Sequence, residues 1–374
     1  MSTTRKTKSR TLGFQDLVVW RTKLPDANFA LLPASNNRPN PLAVQDRLYI
    51  SVFSPGAICA LQRDGGKLIW RRELPPFAGS SVQLCDGRLF AKTAQELFAL
   101  HPDSGETLWS FCPYGCDGEF LYSSPSFHDG RVYIGDRNGI LHCLDAGTGK
   151  AIWSRLTSRA RNNDVNSTPV IAGGLVMVST NAGTAIAYDA LSGKIAWSEK
   201  LDGPSVFGPI LHHDSVLAVA DSLYILDYRT GKRKRRLSHK GEKLLHVEST
   251  PRSVVMMFAA PVKVKLPADR EAAEKVLALH PPHNTLIFIS NSGERRIRKI
   301  LAYCPALRYA PASGQIYVSH MSGIDVLRPV TGTLVRQIRL HDHISGGIAL
   351  VDVMDNKLYT LTDDGSVYAL RNPS

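Results

Sequence analysis

Two histidines one residue apart, His341 and His343 around Asp342, form the most metal-like pattern in the chain. On extended backbone, side chains two apart share a face, so both imidazoles can reach one transition-metal ion. His246 is the histidine expected to approach them from another part of the chain. Solvated loop histidines are the plainer account of the pair. Cys112 and Cys116 enclose Pro113-Tyr114-Gly115. That spacing serves either a zinc site or a disulfide, but no second ligand pair lies nearby in sequence. Cys59, Cys85, Cys143 and Cys304 are scattered and read as small buried hydrophobes of a reducing compartment. The sequence offers no nucleophile–base–acid arrangement, no phosphate-cradling glycine loop ahead of a helix and no pair of acid–base carboxylates.

Positive charge is better organised. Lys232, Arg233, Lys234, Arg235 and Arg236 form one run; Arg295, Arg296, Arg298 and Lys299 form a second; Arg336 and Arg339 follow. With 45 Lys and Arg against 33 Asp and Glu, the net charge of +12 favours acidic partners: a protein, a nucleic acid or an anionic membrane surface. Basic side chains on exposed strands also discourage edge-to-edge aggregation, the competing account of these runs. No aromatics interleave with them, which argues against base stacking and sequence-specific reading of nucleic acid. KRKRR resembles a nuclear-import signal, but a run locked in a strand is poorly available. Residues 1–12, with Arg5, Lys6, Lys8 and Arg10, read as a basic disordered tail. No apolar stretch follows it, no early lipid-accepting cysteine is present, and no apolar run is long enough to span a bilayer. The expected location is the cytoplasm.

The elements that must position these residues come from an internal repeat. Residues 139–153 read GILHCLDAGTGKAIW, 184–197 TAIAYDALSGKIAW, 96–109 ELFALHPDSGETLW and 58–70 ICALQRDGGKLIW. In each, one strand runs into a glycine turn and a second strand reaches Trp four residues after the glycine. Residues 223–237, 287–300 and 324–338 are degenerate copies with Arg235, Ile297 and Arg336 at the Trp position. The last copy, SVYAL at 366–370, lacks its outer strand. Residues 17–24, LVVWRTKL, can supply it, which puts Trp20 in register, so all five tryptophans share one repeat position. Most turn glycines lie about forty residues apart, the period of a four-stranded blade. The predicted fold is an all-β, eight-bladed propeller over residues 13–374, its last blade closed by the N-terminal strand. The long gap before Gly293 holds an insertion at about 261–282. In it PADREAAEKVLALH, ended by Pro281-Pro282, predicts a short helix within blade six.

LDAGTGKAIW and SSPSFHDGRVYIG (residues 123–135) resemble the repeats of the pyrroloquinoline-quinone (PQQ)-type propeller family. The resemblance covers nearly the whole chain and is strongest in blades two to four. It implies that Trp20, Trp70, Trp109, Trp153 and Trp197 dock on neighbouring blades. The family holds PQQ-dependent dehydrogenases, a non-enzymatic outer-membrane barrel-assembly lipoprotein of similar length and blade number, and interaction or sensor modules. The adjacent cysteine pair of several dehydrogenases is absent here.

The resemblance also implies a ligand face, made by loops such as 111–122, 156–166 and 340–346. Tyr122, Asn166 and Glu248 each precede an S-S/T-P turn and are expected near the central funnel. Asn166 and Glu248, with Asp164, suit a hard cation; water filling a polar funnel is the alternative. Metal ligands, if present, are expected among His341, His343, Asp164 and Glu248. The reading that results is a non-enzymatic scaffold or sensor with a protein or polyanion partner and no cofactor. The alternatives are a PQQ-, calcium- or metal-dependent oxidoreductase-like protein with a funnel site, and a protein bound to nucleic acid through its basic rim.

Overall fold

Each repeat folds into four antiparallel strands because its hydrophobic pattern changes from strand to strand. In blade 1 the middle strands Arg47–Val52 and Ala57–Gln62 are almost continuously buried, whereas the outer strand Leu68–Glu73 is largely exposed. A strand covered on both faces needs an unbroken apolar run, and an outer one does not. The computed structural model describes residues 10–13, 15–27, 41–75, 82–113, 123–160, 162–205, 207–238, 242–259, 283–301, 306–311, 313–320, 323–339, 348–354, 357–362 and 364–372.

Eight such sheets form an eight-bladed β-propeller. Blades 1 to 7 span residues 42–73, 83–111, 126–156, 170–200, 210–237, 243–301 and 306–339. Blade 8 joins three strands between 348 and 371 to the N-terminal strand Val18–Lys23, which pairs antiparallel with Ser366–Arg371. The clasp expected from sequence is therefore present. The core is divided into eight wedges, each between adjacent blades. One wedge, for example, packs Tyr133, Leu141 and Trp153 of blade 3 against Val176, Ile186 and Tyr188 of blade 4. No blade buries its own faces alone, so closing the ring is integral to folding.

The tryptophans hold one blade to the next. The indole N–H groups of Trp20, Trp70, Trp109, Trp153 and Trp197 donate to the carbonyls of Arg63, Pro102, Ala146, Ala190 and Tyr228. Every acceptor lies at the outer turn of the following blade. The rings lie so close to the turn glycines that a Cβ on Gly231 would sit 2.7 Å from the Trp197 ring. Trp20 makes this contact from blade 8 to blade 1 and closes the ring.

Two expectations change. Residues 10–12 are not tail: Arg10–Gly13 forms a strand parallel to Leu334–Arg339, giving blade 7 a fifth, outermost strand. Backbone groups on an uncovered strand edge attract such pairing, which the charge pattern of the segment does not reveal. The Ser249-Thr250-Pro251 turn is also not equivalent to those of blades 3 and 4. Ser123-Ser124-Pro125 and Ser167-Thr168-Pro169 precede innermost strands, whereas Thr250 ends one, Lys243–Thr250. Its hydroxyl accepts the Ser253 N–H at 2.9 Å and closes the hairpin. The helix expected near 267–280 lies outside the described residues. Among those described, no helix is long and apolar enough to cross a membrane.

Candidate functional site

The structure brings together only some of the expected funnel constellation. Asp164, in the loop leading into blade 4, accepts the side-chain amide N–H groups of Asn181 at 3.2 Å and of the buried Asn166 at 3.5 Å. Glu248 belongs to another cluster, because the turn equivalence that placed it beside Asn166 does not hold. Its register partner is Val255, and its carboxylate meets His246 Nε2 at 3.2 Å and the Tyr309 backbone N–H of blade 7 at 3.0 Å. Tyr122, His341, His343 and Cys116 lie outside the described residues. Cys112 is disulfide-bonded. Cys59 and Cys143 are buried free thiols, and burial pushes the Cys59 thiol up to about 12.

A hard cation needs oxygens converging on a point, but both amides turn their NH2 groups to Asp164, and Glu248 is already satisfied elsewhere. Among the described residues, Asp164 and Glu248 therefore belong to separate clusters and do not form the one oxygen-lined site expected of them. Among the described residues, no three His, Cys, Asp or Glu side chains form a group that could hold a metal.

Beside Asp164 lies a cavity of about 480 Å³, walled by Arg137 and Asn138 from a blade-3 turn and by Ser158, Arg159, Asn162 and Asn163 from the following loop. The loop is pinned in place. Thr157 donates to the Gly139 carbonyl through its backbone N–H and hydroxyl, and the Val165 N–H donates to the Asp136 carbonyl. The buried Asn163 amide donates to the Thr157 hydroxyl and the Ser158 carbonyl, while its own Oδ1 has no partner. Leu156 and Ala160 add apolar surface. The loop 156–166 stands out in the sequence; the cavity does not, because it forms only when this loop packs on a turn some twenty residues earlier.

A second arrangement escapes the sequence. In blade 3 the Ser154 hydroxyl lies 2.9 Å from His142 Nδ1, and His142 Nε2 lies 3.0 Å from Asp136 Oδ2. Asp136 is fully buried and also accepts the Ile140 N–H. The series has the residue types of a hydrolase triad, yet His142 is only 3% exposed and no substrate can reach it. Blades 5 and 8 do the same work with other residues: Arg236 and Ser222 on Asp202, and Arg21 and Ser366 on Asp364. In each case an acid near a turn is tied to the outer strand, so the blade-3 series is a lock between strands. Nothing marks it in sequence, since cross-strand pairing of His142 with Ser154 creates it. Lys92 in blade 2 is another buried charge the sequence does not reveal; burial pushes its amine down to about 7.

The basic runs lie on the fourth strands of blades 5, 6 and 7, as the register predicts, but many of their charges are engaged. Arg233 pairs with Glu199 and Arg236 with Asp202, both reaching back toward blade 4. Lys234 pairs with Asp227 and Arg296 with Glu294; Arg298 donates to the Gly332 carbonyl of blade 7, and Arg295 is also engaged. Arg336 is not on the surface at all. It is 8% exposed, on a strand flanked by Arg10–Gly13, and donates to Asn372 Oδ1 at 2.9 Å. Within these runs, among the described residues, Lys232, Arg235, Lys299 and Arg339 project without a partner. Four free cations on three blades make a broken band, not a continuous belt.

Fold and repeat together define a propeller of PQQ-like repeats. A sequence model of the family described as "Outer membrane protein assembly factor BamB" matches residues 15–237, more than half of the chain, and the chain belongs to that family. Similar solved structures include the computationally designed Ika8 protein, at 13% identity and a TM-score of 0.72, covering 95% of this chain and 99% of that one. BamB from Moraxella catarrhalis is 16% identical with a TM-score of 0.50, over 95% and 99% of the two chains. The quinohemoprotein alcohol dehydrogenase from Comamonas testosteroni is 12% identical with a TM-score of 0.70, over 95% of this chain and 76% of that one. At such identities the likeness is one of fold. Among curated proteins no sequence match was found.

Proposed function

We propose that this chain is a non-enzymatic scaffold that holds a protein partner on its loop face. The observation that carries this reading is the match of residues 15–237 to a family described as an assembly factor. The chemistry of the chain is consistent with it: the acids best placed to react, Asp136, Asp202 and Asp364, are tied into strand locks, and Asp164 is held by two amides. An excess of positive charge favours an acidic partner and speeds encounter. The likeness to an alcohol dehydrogenase, at 12% identity, is one of fold and carries no activity over to this chain.

Native mass spectrometry of the protein purified from its own host at low salt, with metal analysis of the same sample, tests the reading. A stoichiometric protein partner without stoichiometric metal is expected. A bound cation, or an added mass of small-molecule size, would overturn it in favour of a funnel site. Co-purifying nucleic acid would overturn it in favour of polyanion binding through the rim.

A further inference from the structure

We infer that the cavity between the blade-3 turn at Arg137 and the loop that follows blade 3 is a recognition site for a carboxylate, borne by an acidic residue of an extended peptide or by a free small acid; the peptide form rests on the scaffold reading above. Its walls carry two guanidinium groups, Arg137 and Arg159, and the exposed side-chain amides of Asn138 and Asn162. Arg159 has no ion pair or hydrogen bond among the described residues, so its fork of donors is unspent. Guanidinium matches a planar carboxylate with two parallel hydrogen bonds.

Asp164 sets the charge of the group that fits. Its carboxylate accepts from Asn166 and Asn181, which spreads its charge but does not remove it. Among the described residues the wall therefore carries two positive charges and one negative. A singly charged carboxylate balances that net charge, whereas a doubly charged phosphate leaves one negative charge uncompensated beside Asp164 and costs more to strip of water. The cavity, at about 480 Å³, exceeds the needs of one carboxylate and leaves room for the carbon chain that bears it, against Leu156 and Ala160.

The walls are built before any ligand arrives. Gly139 and Asn163 are in such close contact that a Cβ on the glycine would lie 2.4 Å from the Asn163 amide nitrogen. Thr157 and Val165 fix the same turn and loop from either side. Preformed walls spare the ordering cost that a loose loop would impose on binding. Asn163 Oδ1, buried and unpartnered, is an acceptor left for an N–H donor such as the backbone of a peptide.

Fluorescence anisotropy with a short labelled peptide carrying one Glu among neutral residues, against its Gln twin, tests the assignment, with butyrate as the small-acid competitor. The Glu peptide should bind at least about tenfold tighter than the Gln twin, and Arg159→Ala should remove about tenfold or more, the range for a hydrogen bond to a charged group. Arg159 holds nothing else, so the variant should fold normally. Arg235→Ala, a free rim cation outside the cavity, should change binding less than about twofold if screening weakens distant charges. Equal losses from Arg159→Ala and Arg235→Ala, or no preference for Glu over Gln, would overturn the proposal. Binding of butyrate without the peptide, lost in Arg159→Ala, would uphold the carboxylate site while breaking its link to the scaffold reading. Binding of neither, with a protein partner still seen by mass spectrometry, would overturn the cavity assignment and leave the scaffold standing. Inorganic phosphate competing better than butyrate would overturn the charge argument.

Discussion

Blades 8 and 1 to 4 are joined by one contact repeated five times: an indole over a turn glycine, with its N–H on the adjoining carbonyl. Blades 5 to 7 solve the same problem three different ways. Arg235 occupies the repeat position of blade 5 but points into solvent, and a Cβ on Gly293 in blade 6 would meet nothing within 4 Å. The blade-6 turn is tighter: Gly293 N–H bonds back to Ser290, three residues away, whereas Gly149 bonds to Asp145, four away. Its last hairpin also lacks the register shift seen beside Trp153 and Trp197. From blade 6 to blade 7 the ring of Phe288 and the guanidinium of Arg298 cover Gly332. From blade 7 to blade 8 the geometry differs, since the last two strands of blade 8, Ser366–Arg371 and Val18–Lys23, are not consecutive in sequence and no tight turn joins them. Buried Arg336 spans that seam, bonding Asn372, which in turn donates to the Tyr317 hydroxyl. The lesson is that the repeat specifies a distance to be bridged, and several chemistries can bridge it.

The comparison can be broken most forcefully at its two extremes. Trp153→Ala should destabilise the protein by about 3–5 kcal/mol, the range for deleting a packed aromatic, while Ile297→Ala, 55% exposed at the equivalent position, should stay within about 0.5 kcal/mol. Urea unfolding of the two variants checks this, and similar losses would mean that the two arcs are held alike. Next comes Arg336→Ala against Arg235→Ala. Loss of a buried charge-assisted hydrogen bond should cost about 1.5–3 kcal/mol, against little for the exposed residue.

The glycines sharpen the contrast further. Gly231 and Gly293 both sit at left-handed φ, +71° and +88°, so alanine strains either by about 1–2 kcal/mol. Only at Gly231 does the new methyl strike an indole, so Gly231→Ala should be the worse by about 1 kcal/mol or more in thermal melts.

The smallest effect is one of pH. Burial alone would raise the Asp364 carboxyl, but hydrogen bonds from Thr362 and Ser366 and the charge of Lys23 outweigh it and bring the group down to about 2. A carboxylate depressed below its unfolded value near 3.9 stabilises the fold above that value and loses its contribution as pH falls toward 2. Asp364→Asn should therefore be less stable than the parent at neutral pH, by under about 1 kcal/mol for so solvent-screened a group, and the gap should close in acid. A gap constant with pH would place the effect in hydrogen bonding alone.

Blade number, the clasp and the docking role of the tryptophans were legible because glycine and tryptophan recur four residues apart in one register. The site was much less so. Asn166 and Asp164 do meet, as neighbours in one loop must. Glu248 was misplaced because Ser-Thr-Pro reads equally as the lead into a strand or the turn that ends one. Arg336 looked like surface charge, since a sequence does not show that Asn372 and an added strand will cover it. The Ser154–His142–Asp136 series and the cavity beside Arg159 arise from pairing between strands and from a loop packed on a turn, and no local pattern records either.

Closing the ring with Val18–Lys23 on Ser366–Arg371 has a mechanical side. The two strands run antiparallel, with Val18 opposite Leu370 at the seam and Lys23 opposite Ser366 at the far end. Tension applied through the leading end of one strand and the trailing end of the other falls on the Val18–Leu370 pair first. The hydrogen bonds would then break in succession, as in a zipper, and never share the load as they would in shear. A ring held by eight packed wedges can therefore be opened by modest force at this one strand pair.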